Sequence, residues 1–385
     1  MRYSVRTDII ISLLIHGDEK LTTKDDIRFL ILNKKENELL DLLEKEKEDV
    51  QGFLLEIAKS DSDWKIRKDA IKVLGKGKVT QSIKLLHDIL LKDHLTVLRK
   101  NAAKSLGNIG DPIAIPSLIE ALKTSKDPSI VIEVASSLGM LKATQALDVL
   151  LKMLNNKDGE IRENVAQSLG LIGDSKAIDP LLIILRDDQE AWVRGQAAEA
   201  LGLIGDKRVV PNLIFTLEND NGIGVSVKTA TALGRLKDPT AVEPLINFLQ
   251  KSQNVENRRA IAYALGEIGD KRAAEVFLEL LVDEDETVRY WSCLSLGFMQ
   301  YKKAANILLD VLKDDKSVRV RKTAALSVGQ LVPKTKKCVQ VLLKTLETES
   351  DLEVQEKIKS TLERIAKNQG YKNEKEMIKE MGLEK

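Results

Sequence analysis

Cysteine, histidine and aromatic residues are all scarce in this sequence. The only two cysteines, Cys293 and Cys338, form no CxxC pair, so neither a disulfide framework nor a thiolate metal site is indicated. The three histidines, His16, His87 and His94, lack the spacing and the neighbouring ligands that a metal centre needs. We therefore expect no metal and no cofactor, and the cysteine usage fits a reducing cytoplasm.

The motifs of common catalytic sites are also missing. The sequence contains no GxxxxGK[ST], no GxGxxG after a strand, no HExxH and no GxSxG. Carboxylates are numerous, but they fall in turns and at helix starts, and no pair stands out as a catalytic acid and base. The sequence therefore predicts a protein that is not an enzyme.

Charge of one sign is not in excess, because 60 Lys and Arg residues face 59 Asp and Glu residues, a net charge of +1. Such a balance gives no global attraction to nucleic acid or to a membrane, so any attraction must be local. The mostly apolar run at residues 9–15 is too short to cross a bilayer. We interpret it as part of a capping helix at 8–16 and expect no membrane association.

A repeated Leu-Gly unit fills most of the sequence. Its glycines recur every 31 or 32 residues, at Gly75, Gly107, Gly139, Gly170, Gly202, Gly234, Gly266, Gly297 and Gly329. A fixed period of this size indicates one supersecondary unit stacked many times, in which each unit buries its apolar face against its neighbours. We predict one elongated array rather than separate globular domains.

Each unit contains two helices and no strand pattern. In the clearest copy, residues 193–206, the apolar side chains fall on one helical stripe. A glycine in mid-helix costs about 1 kcal/mol relative to alanine, so its recurrence predicts a close approach of neighbouring helices. Gly205 predicts the helix end and Asp206 a cap for the next helix. That next helix is the first of the following unit, and prolines mark its start in four units, at Pro116, Pro180, Pro211 and Pro244.

The pattern D-x-x-V-R-x-x-A-A-x-A-L-G-x-I-G-D resembles the short HEAT-like repeat named after the phycobilisome lyases. The resemblance covers roughly residues 50–345. It implies an all-α fold, a right-handed α-solenoid of about nine to ten two-helix repeats with helical caps. We expect an N-terminal cap at 1–48, the repeat array at 49–346, and a degenerate repeat with a C-terminal cap at 347–385.

The resemblance also implies an arginine ladder between the units. The arginine occurs eight residues before the glycine in seven units, at Arg67, Arg99, Arg162, Arg194, Arg258, Arg289 and Arg321. Val131 and Ser226 replace it in two units. The family pairs this arginine with a preceding acidic residue, so Asp63, Asp158 and Asp285 would have structural roles.

In HEAT-like families the second helix of each repeat lines the concave surface. The slots of this helix that face away from the core stripe are basic in the first units and aromatic in the later ones. The basic patch comprises Lys68, Lys72, Lys76, Lys100 and Lys104. The candidate partner-binding residues are Tyr263, Tyr290, Trp291, Leu294, Phe298, Arg259 and Trp192.

These patterns favour a cytoplasmic scaffold or adaptor that holds a protein or peptide partner on its concave face. Aromatic residues beside arginine are typical of interface hot spots. One alternative is a phycobilin-lyase-like chromophore chaperone or lyase subunit, which would use the same aromatics against a tetrapyrrole. A further alternative is nucleic-acid binding through the lysines. The aromatic residues also fit a plainer interpretation, in which they fill a widened gap between repeats.

Overall fold

A computed structural model describes residues 23–45, 47–331 and 335–383. Within these ranges the chain forms α-helices, short 3-10 helices and turns, and no β-strand. The chain divides into two compact units, Met1–Ile204 and Gly205–Lys385. The expected capping helix at 8–16 lies outside the described residues. The expected boundaries of the two caps stay predictions.

The N-terminal unit contains helices α1 to α12. They are Lys24–Leu32 (α1), Glu36–Lys45 (α2), Lys47–Ser60 (α3), Trp64–Lys76 (α4), Ile83–Lys92 (α5), Thr96–Ile109 (α6), Ile115–Thr124 (α7), Pro128–Met140 (α8), Leu147–Met153 (α9), Gly159–Ile172 (α10), Ile178–Asp187 (α11) and Ala191–Ile204 (α12). From α3 to α22, each odd-numbered helix is the first helix of a repeat and each even-numbered helix is the second.

The C-terminal unit continues the same alternation. Its helices are Val210–Asn219 (α13), Ile223–Leu236 (α14), Val242–Lys251 (α15), Val255–Ile268 (α16), Ala274–Leu280 (α17), Glu286–Phe298 (α18), Ala305–Asp314 (α19), Val318–Leu331 (α20), Lys336–Thr348 (α21), Leu352–Asn368 (α22) and Glu374–Glu380 (α23). The last of these, α23, packs on α22.

Prolines and glycines mark the helix ends as the sequence predicts. Pro116 and Pro211 are the second residues of α7 and α13, where a missing N–H leaves no hydrogen bond unmade. Four glycines that end second helices have φ between 71° and 81°, at Gly110, Gly173, Gly205 and Gly269. The aspartate after each of them accepts a hydrogen bond from the N–H two residues further on. At Lys142 and Lys237 a lysine adopts the same left-handed conformation, which costs a residue with a Cβ about 1–2 kcal/mol.

Within each of the two compact halves of the chain, the second helices of successive repeats pack side by side. The first helices cover one side of this layer. The apolar stripe predicted in α12 is fully buried at Val193, Ala197, Ala198 and Leu201, and Ile204 at its end is half-buried. Burial of apolar surface by this stripe drives the stacking, because each repeat alone leaves it exposed.

The repeat glycines lie where neighbouring second helices come closest. A Cβ on Gly170 in α10 would be 2.7 Å from the Cα of Ala200 in α12. A Cβ on Gly234 in α14 would be 2.7 Å from the Cα of Ala264 in α16. Carbon atoms in contact are ordinarily about 3.5–4.0 Å apart, so neither position has room for a side chain. The close approach predicted from the sequence is confirmed.

Hydroxyl groups join second helices at the same level. Ser137 of α8 donates a hydrogen bond of 2.9 Å to the carbonyl of Ala103 in α6, and Ser168 of α10 donates one of 2.8 Å to the carbonyl of Ala135 in α8. Ser105 and Thr361 make the same bond to the second helix before them. A buried hydroxyl needs such a partner, and a helical carbonyl has a second lone pair to offer.

Most ladder arginines pair with an acidic residue of the next repeat, whereas Arg99 donates to the carbonyl of Leu90 in its own repeat. The expectation of a preceding acidic partner is wrong. Arg162 donates from Nε and Nη2 to Asp188 at 2.7 and 2.8 Å, and from Nη1 to the carbonyl of Asn156. Equivalent pairs are Arg67 with Asp93, Arg258 with Asp283, Arg289 with Asp315, and Arg321 with Glu349.

Asp63, Asp158 and Asp285 have structural roles of a different kind. Each is the N-cap of its own second helix and accepts a hydrogen bond from the N–H two residues further on. This bond directs the carboxylate to the helix start, away from the arginine one turn later. One repeat has Ser226 in the arginine position. There the Ser226 hydroxyl donates a 2.8 Å hydrogen bond to Oδ1 of Asn257 in α16, where other repeats have an ion pair.

Candidate binding surfaces

Three aromatic side chains in the C-terminal unit form a continuous row. The ring of Trp291 in α18 meets Tyr263 of α16 edge to face, with centroids 5.2 Å apart and an interplanar angle of 73°. The same indole meets Tyr290 at 5.4 Å and 75°. Edge-to-face contacts stabilise aromatic pairs beyond the area they bury. We call Tyr263, Tyr290, Trp291, Leu294 and Phe298 together the aromatic surface.

A wider helix spacing accommodates the indole. A Cβ on Gly266 of α16 would meet the hydroxyl of Ser295 in α18 at 2.5 Å, but every other atom lies at 3.7 Å or more, and Trp291 Cε3 is one of those at 3.7 Å. By contrast, the Cα of Ala264 would be 2.7 Å from a Cβ on Gly234. Helices α16 and α18 are therefore further apart than α14 and α16, and the half-buried Trp291 ring lies over that gap. This geometry fits the gap-filling interpretation for Trp291.

An arginine that sequence reasoning missed covers the other end of the row. The guanidinium carbon of Arg319 lies 3.9 Å from the ring centroid of Tyr290. Arg319 is the second residue of α20, in the repeat that follows Tyr290. A cation over a tyrosine face contributes about 0.5–1 kcal/mol at an exposed site. An arginine at a helix start one repeat after a half-buried tyrosine is the signal that would have found it.

Phe298 is the most exposed member of the aromatic surface. It ends α18 with 66% of its surface accessible, whereas Leu294 one turn earlier is half-buried. Tyr290, Leu294 and Phe298 follow one another at four-residue intervals and so lie along one side of the helix. These three candidate residues therefore form a line along one side of α18.

Arg259 is engaged in the structure. Its Nε and Nη2 donate to the N-cap carboxylate of Asp285 at 3.0 and 2.5 Å, and its Nη1 donates to Glu256 at 2.7 Å. The hydrogen bond to Asp285 raises the pKa of Arg259, and the same bond lowers the pKa of Asp285. Arg259 thus joins α16 to the start of α18.

Trp192 belongs to the N-terminal unit and is described separately. It lies at the second position of α12 with 51% of its surface exposed. One edge of the indole contacts the start of α10, because a Cβ on Gly159 would be 3.6 Å from Trp192 Cζ2. Trp192 therefore contacts the preceding repeat of its own unit.

Four of the five predicted lysines line one groove of about 360 Å³ in the N-terminal unit. Lys72 and Lys76 come from α4, and Lys100 and Lys104 come from α6. We call this the lysine groove. Its other lining residues are Glu36, Asn101, Ser105, Asn108 and Glu133. The sequence analysis missed the two glutamates because they come from different helices, α2 and α8.

Within the part of the chain that the structure describes, two of these lysines form ion pairs and two do not. Lys76 is paired with Glu36, and Lys72 Nζ is 3.6 Å from Asp69. Among the described residues, no carboxylate forms an ion pair with Lys100 or Lys104. The fifth predicted residue, Lys68, is not a lining residue of the groove: it lies 3.4 Å from Asp69 and 5.8 Å from the centroid of the Trp64 ring.

Neither cysteine offers a reactive thiolate. Burial raises the pKa of both Cys293 and Cys338 to about 12, so each is a neutral thiol at physiological pH. In residues 23–45, 47–331 and 335–383, no three histidine, cysteine or carboxylate side chains are grouped to hold a metal ion. None of the helices described in those ranges combines the length and the apolar character that a membrane crossing requires.

A family model described as HEAT repeats matches the chain in overlapping segments. They are residues 52–139, 115–202, 178–253, 242–329 and 277–363. The chain belongs to the HEAT-repeat family. The resemblance inferred from the Leu-Gly pattern and the all-α solenoid fold are both confirmed.

Solved structures similar to this HEAT-repeat protein include importins. Importin beta has a TM-score of 0.62 at 16% identity, over 95% of this chain and 58% of that chain. Yeast importin-beta (Kap95p) has a TM-score of 0.59 at 13% identity, over 94% of this chain and 57% of that chain. At these identities the likeness shows the fold alone.

Two other similar proteins have the names of enzymes. The CpcE–CpcF complex of phycocyanin lyase from Nostoc sp. PCC7120 is 23% identical over 56% of this chain and 92% of that chain, with a TM-score of 0.39. Epoxyqueuosine reductase from Bacillus subtilis (strain 168) is 33% identical over 79 residues, which is 20% of this HEAT-repeat protein and 20% of the reductase. Neither match carries an activity over to this chain.

Proposed function

We propose that this HEAT-repeat protein is a scaffold or adaptor that binds a protein or peptide partner on the face formed by its second helices. The observation that carries the proposal is the exposed Phe298 at the end of the row that runs through Leu294 and Tyr290. Aromatic residues and arginine are enriched at the energetic centres of interfaces. This surface provides both kinds of residue, because Arg319 stacks on Tyr290 beside the exposed ring of Phe298.

The energetic gain from covering Phe298 is sizeable. Fully burying a phenylalanine side chain contributes about 1.5–3 kcal/mol, and 66% of this residue is still exposed. A partner that covers it therefore gains about 1–2 kcal/mol from this residue alone. The neighbouring edges of Tyr290 and Leu294 add to the same contact.

The members of the aromatic surface have different roles in this proposal. Phe298, Tyr290 and Leu294 contact the partner, while Trp291 and Tyr263 hold the row in place from the gap between α16 and α18. Arg259 supports the same junction through Asp285. We further propose that the protein has no catalytic activity of its own and acts in the cytoplasm, where its two buried free thiols would stay reduced.

A capture experiment with matched variants tests the proposal. Wild-type protein, Phe298→Ala and Phe215→Ala are each immobilised and exposed to extract of the source organism, and the captured partner is then titrated by calorimetry. Phe215 is the matched control because it is 62% exposed in the same unit but lies on a first helix, α13. We expect Phe298→Ala to lose about 2 kcal/mol of binding free energy and Phe215→Ala to bind like the wild type.

Thermal melts separate binding from folding. Phe298→Ala should leave the melting temperature unchanged, whereas Trp291→Ala should lower it because the indole fills the gap beside Gly266. Equal binding by all three immobilised proteins would show that the partner does not use the aromatic surface.

A further inference from the structure

We propose that the lysine groove binds an acidic peptide segment, rich in aspartate and glutamate. The groove is formed by α4 and α6 of the N-terminal unit, so the proposal does not depend on the aromatic surface of the C-terminal unit. Four ammonium groups from two neighbouring helices line a single groove of about 360 Å³. This concentration of positive charge is local, since the whole chain carries a net charge of only +1.

The arrangement of the lysines is unfavourable without a ligand. Lys72 and Lys76 are four residues apart on α4, and Lys100 and Lys104 are four residues apart on α6. Like charges at this spacing destabilise a helix. On α4 the ion pairs with Asp69 and Glu36 offset this repulsion, whereas neither lysine of α6 forms an ion pair in the described ranges of the chain. Carboxylates placed between them would relieve the repulsion, so the groove is electrostatically suited to an anionic ligand.

The groove already accepts one carboxylate. Glu36 lies among its lining residues and pairs with Lys76. Lys72 has Asp69 beside it at 3.6 Å. Among the described residues, the exposed Lys100 and Lys104 form no ion pair, although Glu133 lines the same groove, so the unpaired positive charge lies on the α6 side. An acidic side chain from a partner would pair with Lys100 or Lys104 of α6, as Glu36 pairs with Lys76 of α4.

The other lining residues favour a peptide over a nucleic acid. No aromatic ring on which a base could stack and no arginine fork for a phosphate occurs among the lining residues. Glu36 and Glu133 would repel a continuous run of phosphates, whereas a peptide can place neutral residues opposite them. The amide of Asn108 can donate to and accept from the backbone of an extended peptide.

Fluorescence anisotropy with the full-length protein tests the proposal. The probes are a fluorescent acidic peptide in which aspartates alternate with serines and a fluorescent single-stranded oligonucleotide of matched charge. We expect the peptide to bind and Lys100→Glu/Lys104→Glu to weaken it at least about tenfold. The matched control is Lys84→Glu/Lys152→Glu, which makes the same charge change at exposed residues of the first helices α5 and α9, and it should bind within about twofold of the wild type.

A variant of opposite effect keeps the test independent of any loss of folding. Glu133→Gln removes a carboxylate from the groove and should tighten peptide binding several-fold, while Phe298→Ala should leave it unchanged. Three outcomes overturn the proposal. They are equal weakening in both double variants, which indicates general charge attraction, preferential binding of the oligonucleotide, and no binding of the peptide by folded wild-type protein.

Discussion

Replacing Gly170 by alanine tests the reason for the repeat glycines. The new Cβ would lie 2.7 Å from the Cα and 2.9 Å from the Cβ of Ala200, and 3.3 Å from its carbonyl oxygen. Because two of these three atoms belong to the backbone of α12, no rotamer change can relieve the contact. Helices α10 and α12 must move apart, which also strains the packing around them.

Two effects of opposite sign decide the magnitude. Alanine is favoured over glycine within a helix by about 1 kcal/mol. Inserting a carbon into a closely packed interface costs about 1–3 kcal/mol, and more when the obstacle is backbone. We expect Gly170→Ala to lower the free energy of unfolding by about 1–2 kcal/mol, although the substitution improves the helix propensity.

The same substitution elsewhere in the chain supplies internal controls. Gly52 lies within α3 with no atom within 4 Å of a built Cβ, so Gly52→Ala should raise stability by about 0.5–1 kcal/mol. At Gly266 the only close atom is the hydroxyl oxygen of Ser295, at 2.5 Å. That hydroxyl has no hydrogen-bond partner in the described part of the chain, so it can rotate away without losing a bond. We expect Gly266→Ala to be close to neutral.

Denaturant unfolding followed by circular dichroism measures the series. Since long repeat arrays can depart from two-state unfolding, the order of the midpoints is the primary readout, and amide hydrogen exchange in α10 and α12 locates the change. The predicted order of stability is Gly52→Ala, then wild type and Gly266→Ala together, then Gly170→Ala. A Gly170→Ala variant as stable as Gly52→Ala would refute the close-approach reasoning, and a Gly266→Ala variant as damaged as Gly170→Ala would refute the wider spacing of α16 and α18.

Two further predictions concern the helix ends and the arginine ladder. Lys142 has φ of 49°, so Lys142→Gly should raise the free energy of unfolding by about 1 kcal/mol in the same denaturant assay, and Lys142→Ala, which keeps the positive φ, should not. The hydrogen bond from Arg321 lowers the pKa of Glu349 below its ordinary value of 4.5, so this pair stabilises the fold above that pH and the contribution is lost as the pH falls through the lowered pKa. Arg321→Gln should therefore be less stable than wild type in neutral thermal melts, and the difference should shrink in acid; a difference that does not change with pH would contradict this.

The repeat itself could be predicted from the sequence because it depends on local rules. Helix periodicity, the glycine at the helix end and the aspartate after it act within a few residues, and Gly173 with Asp174 behaves as predicted. The close approach at Gly170 was also predictable, because a mid-helix glycine is unfavourable unless a neighbour requires it. Both inferences need only the chemistry of one unit.

The ladder pairing was not predictable in the same way. Arg162 reaches Asp188 in the next repeat, a residue 26 positions later, while Asp158 is closer in sequence but is held by its own helix start. Which carboxylate meets the guanidinium depends on how far one repeat is displaced from the next. That displacement is a property of the stacked repeats, and no sequence pattern within a single repeat indicates it.

The candidate sites combine both kinds of information. Tyr290, Leu294 and Phe298 share a helix side and were therefore found together by their spacing. Arg319 and Glu36 were missed because each comes from an element whose position relative to the site depends on tertiary packing. Trp291 was found as a candidate from its slot in the repeat, but only the distances around Gly266 show that it covers a widened gap.

The same glycines that allow stacking also shape the surface on which a partner would bind. A repeat glycine leaves a shallow depression on the surface of its helix, and a large side chain of the next repeat can lie over that depression. In the N-terminal unit the methyl carbon of Met140 would be 2.8 Å from a Cβ on Gly107. In the C-terminal unit the ring of Tyr263 would be 3.5 Å from a Cβ on Gly234. The Tyr263 ring would be in ordinary contact with that Cβ, whereas the Cα of Ala264 at 2.7 Å would not, so a substitution at Gly234 should push α16 away and shift Tyr263 together with its helix.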